Sequence, residues 1–181
     1  MEYINFKLAS TRHKFERIDK KRIKKTLSKN IPPKYYLDEN NLWLDTYKKV
    51  RALCPFLIEV YKRNGPEYII EDVGKHITVD NLIKDSHPKL PITKNIICDI
   101  HQALAQLMSA QMQVSRQLGK NQYFIHEDVS IQNLVVTENS QVKIIDVDSF
   151  CFGNHIGGEM NYAFANTDLI YKLQKHFKME D

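Results

Sequence analysis

The 181-residue sequence predicts an α+β chain, on three observations. Two short apolar runs, 134–136 and 142–145, flank a polar turn at Thr137 to Gln141 and have the spacing of a β-hairpin. A long helical stripe fills 92–118. The segments before it alternate between a period of two and a period near 3.6.

Taken in order, residues 3–10 alternate Ile4, Phe6 and Leu8 against Asn5, Lys7 and Ala9, which predicts a strand; 14–18 is its expected hairpin partner across 11–13. Residues 19–30 read as a helix ended by Ile31-Pro32-Pro33. A second helix is expected at 38–53, where Leu42, Trp43, Thr46, Val50 and Leu53 form one stripe before Cys54-Pro55 stops it. Strands follow at 56–62 and 67–73 around Asn64-Gly65, then a short helix at 78–84. In the long helix, Ile96, Ile100, Ala103, Leu104, Leu107, Val114 and Leu118 share a face that Gln111 interrupts, with Met108 and Met112 expected as core filling. After Phe150 a loop leads to a last helix at 167–177, with Asp168 placed to cap it.

Composition excludes several classes. Apolar residues make up 43%, too many for a disordered chain. Three cysteines, odd in number and without paired metal spacing, point to a reduced, cytoplasmic setting. The first residues do not read as a signal peptide, and no apolar run has membrane-spanning length. The net charge of +4 is concentrated near the start, in Arg12, Lys14, Arg17, Lys20, Lys21, Arg22, Lys24 and Lys25. A solvated helix face explains that cluster better than a patch for an acidic partner. Nucleic acid is not an expected partner, because no RNA-binding signature accompanies the charge.

The chemistry is concentrated in 123–150. His126, Asp128 and Asn133 form H-x-D-x-x-x-x-N before the first hairpin strand, and Asp146 and Asp148 follow the second. This arrangement resembles the catalytic loop and metal-binding loop of the protein kinase-like superfamily. The resemblance spans roughly 56–177 and is specific only in 123–150. It implies a bilobal kinase-like fold, with a reduced small lobe at 1–72 and a truncated large lobe at 73–181.

The resemblance also implies an activity. Phosphoryl transfer asks for positioning and charge neutralisation rather than covalent chemistry. On that reading Asp128 is the catalytic base, and Asn133 and Asp146 hold Mg²⁺ (or Mn²⁺) against the phosphates of ATP. Asp148 stands where protein kinases carry glycine and is an additional metal ligand. Glu71 and Val73, in Glu-Asp-Val-Gly after the second strand, match the hinge whose main chain meets adenine. The lysine that holds the phosphates is Lys14 or Lys7. Lys14 is preferred because it lies nearer the helix in sequence, with Glu39 or Asp45 as its partner, although both lysines could equally be solvated.

Departures from the family pattern are plain. There is no G-x-G-x-x-G, and the first glycine is Gly65. Glu127 replaces the arginine that receives an activating phosphate, and Ser130 replaces a lysine common in serine/threonine kinases. The A-P-E motif is missing. Two functions are therefore expected as alternatives. One is an ATP/Mg²⁺-dependent phosphotransferase with an unidentified acceptor. The other is a pseudokinase-like module acting through a protein partner.

Overall fold

A computed structural model describes residues 13–28, 42–84, 94–119 and 122–153. The strand expected at 3–10, with Lys7, lies outside them, as do Glu39 and the helix at 167–177 with Asp168.

Strands β1 (His13–Arg17), β2 (Arg22–Leu27), β3 (Val60–Asn64) and β4 (Glu67–Glu71) make one antiparallel sheet in the order β1-β2-β4-β3. Here the structure corrects the sequence reading. Residues 19–30 do not form a helix; β2 occupies that stretch and pairs with β1 and β4. The pattern has a period of two: Ile23, Lys25 and Leu27 are buried, whereas Arg22, Lys24 and Thr26 are not. A lysine at the middle inward position hides that alternation, because Lys24-Lys25 reads as a polar pair.

The buried face of the sheet meets α1 (Leu42–Leu53) through Trp43, Tyr47 and Val50. Trp43 stacks on Tyr47 at 5.1 Å and meets Tyr68 edge-on at 5.6 Å. The buried Arg63 guanidinium covers the Trp43 ring at 4.5 Å, so its charge lies against two π faces.

After β4 the chain passes through 72–75 into β5 (His76–Thr78), α2 (Val79–Lys84) and α3 (Lys94–Leu118). Asp72 fastens this link to the first hairpin. Its backbone N–H donates to the Lys21 carbonyl at 2.8 Å, and its carboxylate meets Arg17 at 2.6 Å. The next segment holds β6 (Tyr123–His126), β7 (Leu134–Thr137), β8 (Val142–Ile144) and, after a 3₁₀ turn at Val147–Ser149, β9 (Phe150–Gly153). β7 pairs with β5 and β8, and β6 pairs with β9.

Gln111, an apparent interruption of the apolar face of α3, is buried for a reason. Its Oε1 accepts the His126 backbone N–H at 2.6 Å, and one turn later the Ser115 hydroxyl accepts that of Phe124 at 2.9 Å. The strand leading to His126 is thus held by β9 through the main chain and by α3 through side chains. Met108, expected in the core, is 37% exposed, and Met112 is half-buried. One apolar cluster runs from Ile23 and Trp43 through Leu104 and Leu107 to Ile144 and Phe150.

Candidate active site

The loop after β6 is built from its first residue. His126 is buried beneath it, and its Nδ1 accepts the Asp128 backbone N–H at 3.2 Å. Burial holds the imidazole below its ordinary pKa, against the pull of Asp146, Asp128 and Asp148, so it remains a neutral acceptor near pH 7. Asn133 closes the loop: its Nδ2 donates to the Asp128 carbonyl at 2.8 Å and to the Asp128 carboxylate at 3.1 Å. The Asp128 side chain is exposed. Leu134 pairs with Ile144, and the Ile145 N–H donates to the Asn133 carbonyl at 2.9 Å. The end of the Asp128–Asn133 loop therefore lies beside the chain entering Asp146.

Asp146 itself has φ 63° and ψ 44°, in the left-handed region. Aspartate tolerates that conformation better than most residues, at a cost on the order of 1 kcal/mol. The turn is tied to it by the Ser149 hydroxyl, which donates to Asp146 Oδ2 at 2.8 Å, and by the Ser149 N–H, which donates to its carbonyl at 3.0 Å.

The cation that meets this turn is Lys25, not Lys14. Lys14 is exposed on β1. Lys25, counted at the sequence level among the solvated charges, is 3% exposed. Its ammonium lies 2.6 Å from Asp146 Oδ1 and also donates to Asp148 Oδ1. The expected acidic partner Asp45 is exposed on α1, and the two carboxylates that meet Lys25 are Asp146 and Asp148. The strand period on β2 was the signal that could have found Lys25.

Two carboxylates sharing one ammonium cannot both ionise freely. Burial raises both, but Lys25 and the Ser149 hydroxyl outweigh it at Asp146, whose pKa falls below the usual aspartate value. At Asp148 burial and the neighbouring Asp146 charge prevail over Lys25, and its pKa rises. Desolvation alone would lower Lys25, but the two aspartates raise it. His13 Nε2 lies 3.8 Å from Asp148 Oδ2, and His13, Asp146 and Asp148 offer ligand atoms within 4.8 Å of one another.

A pH dependence follows. The lowered pKa of Asp146 contributes stability above the unfolded value of about 3.9, and that contribution is lost as pH falls below it. The raised pKa of Asp148 works in the opposite sense, because protonation relieves its burial. Urea unfolding across a pH series should show Asp146→Asn flattening the loss of stability below about pH 4.

A cleft adjoins Lys25 and Asp146. Phe15, Ile58, Ile70 and Ile145 supply apolar walls, and Glu71 and Val73 line it as well. The Glu71 carboxylate is engaged within the fold, accepting the Glu59 N–H at 2.9 Å and meeting Lys143 at 3.2 Å.

A small-sheet lysine on the aspartate after a hairpin, beside a histidine-aspartate-asparagine loop and an apolar cleft, gives the architecture its character. The described residues form an α+β fold in which these groups are placed as the kinase-like resemblance of the sequence implies. No family model matches the chain. Over 88 residues, 46% of its length, it is 30% identical to a fibroblast growth factor receptor of Strongylocentrotus purpuratus, and that match spans 9% of the receptor. Among solved structures it is similar to choline kinase LicA from Streptococcus pneumoniae, with a TM-score of 0.45 and 10% identity over 97% of this chain and 86% of that one. Among the described residues no helix is long and apolar enough to cross a membrane.

Proposed function

We propose that the chain is an ATP- and Mg²⁺- (or Mn²⁺-) dependent phosphotransferase working in a cytoplasmic setting. Its small lobe comprises 1–72 and its large lobe 73–181, with the cleft between them. The observation that carries this reading is the Lys25–Asp146–Asp148 cluster at one end of an apolar cleft. The apolar walls of the cleft suit a flat heterocycle. Main-chain groups of Glu71 and Val73 would meet the edge of that heterocycle, and Lys25 would meet the phosphates.

The donor set fits a divalent cation. Asp146 and Asp148 supply hard carboxylate oxygens with His13 beside them, and the Asn133 amide oxygen would add another. Asp146, Asp148 and Asn133 would hold the metal, whose charge would offset that of the phosphates. Asp128 would orient and deprotonate the acceptor hydroxyl. The Asn133 amide N–H holds the Asp128 carboxylate in place for that role.

Isothermal calorimetry with and without Mg²⁺ tests the reading. Wild-type protein should bind ATP more tightly with metal, and Asp146→Asn should lose most of that gain while keeping the fold. Equal ATP affinity with and without metal in both proteins would sink it. The alternative, a pseudokinase-like module acting through a protein partner, draws on the absence of a glycine-rich phosphate loop from the sequence. It predicts no labelling of any acceptor, with or without nucleotide binding.

A further inference from the structure

In α1 the only acidic residue is Asp45, which is exposed, so this helix sends no carboxylate to Lys25. It reaches the metal loop by a different group. The Trp43 indole N–H donates to the Phe150 carbonyl at 2.7 Å in a buried site, across 107 residues of sequence. Phe150 ends the turn that begins at Asp146, and its own N–H donates to the Val147 carbonyl. With the two Ser149 contacts to Asp146, the segment from Asp146 to Phe150 is a closed, internally bonded unit gripped at its far end by Trp43.

The grip is stiff on both sides. The Phe150 ring lies between Tyr47, edge-on at 5.3 Å, and Phe124, stacked at 5.2 Å. The indole is fixed by Tyr47 and by the Arg63 guanidinium.

We propose that Trp43 is a positioning residue, fixing the Asp146–Asp148 turn to α1 so that both carboxylates are presented to a metal-bound nucleotide. This rests on the reading of the cleft as a nucleotide site. An indole N–H is a donor that does not titrate and carries no charge that a competing ion could displace. The coupling between helix and metal loop is therefore insensitive to pH and to competing ions, unlike an ion pair.

The test uses Trp43→Phe, which keeps an aromatic ring and removes the donor, beside Val50→Ala. Val50 is buried on the same helix and serves as a destabilised control. Hydrogen exchange of the amides at 147–151, normalised to those of α3, should be about tenfold faster in Trp43→Phe and unchanged in Val50→Ala. Calorimetry should show the Mn²⁺-dependent gain in ATP affinity reduced about five- to tenfold in Trp43→Phe, with metal-free ATP affinity unaltered. The same loop exchange in both variants, or an undiminished metal-dependent gain in Trp43→Phe, overturns the proposal. If wild-type protein shows no metal-dependent gain, the nucleotide reading fails, and the exchange result alone decides whether Trp43 fixes the turn.

Discussion

Lys25→Met should lower the stability of the chain by about 3–5 kcal/mol, the usual cost of removing one partner from a buried ionic group. Methionine fills the volume of the lysine stem, so β2 and its neighbours can keep their packing. What it cannot do is neutralise Asp146 and Asp148, which would then face one another with Lys25 gone. Two signatures separate this from an ordinary core defect. The variant should recover stability as pH falls and a carboxylate takes up a proton, and its melting temperature should rise more with Mn²⁺ than that of wild type. Lys14→Met, on the exposed side of β1, should change stability by no more than about 0.5 kcal/mol. Chemical unfolding of both variants checks the pair. Equal stabilities would show that Lys25 does not neutralise the site.

Asp128→Asn should cut phosphoryl transfer by about 10²- to 10⁴-fold and leave ATP affinity nearly unchanged. The asparagine preserves the exposed position beside Asn133 but cannot take the acceptor proton. Transfer from radiolabelled ATP into protein, lipid and small-metabolite pools is the measurement. Labelling at the wild-type rate in Asp128→Asn would rule out the assigned base. No labelling by wild type in any pool would favour the binding module.

Much of the architecture was legible from local pattern. The helix at Leu42–Leu53, the hairpin around Asn64-Gly65, the long helix and the hairpin after Asn133 all follow their hydrophobic periods. The polar residues of the H-x-D-x-x-x-x-N segment and of the turn after β8 were readable because their spacing is fixed within one short stretch of chain. The lysine was not. Lys25 is separated from Asp146 by 121 positions, and only the fold brings them together. Its burial depends on carboxylates that local periodicity cannot see, so a hydropathy pattern assigns it to the surface. Gln111 was misread for the same reason: its purpose is a backbone N–H on another element. Trp43 was placed correctly on the apolar face, but its donor role depends on a carbonyl 107 residues away.

The side-chain clasp of α3 on β6 bears on the order in which the molecule assembles. Gln111 and His126 are 15 positions apart, and Ser115 and Phe124 only nine. Bringing such near neighbours together costs little loop entropy. The β9 partner of the same strand, by contrast, must return from beyond the β7–β8 hairpin. The helix can therefore act as a template, laying down the strand and the start of the Asp128–Asn133 loop before the turn at Asp146 arrives. A nascent chain that has emerged only as far as Asp128 already carries the donors and acceptors needed to set the backbone leading to that residue.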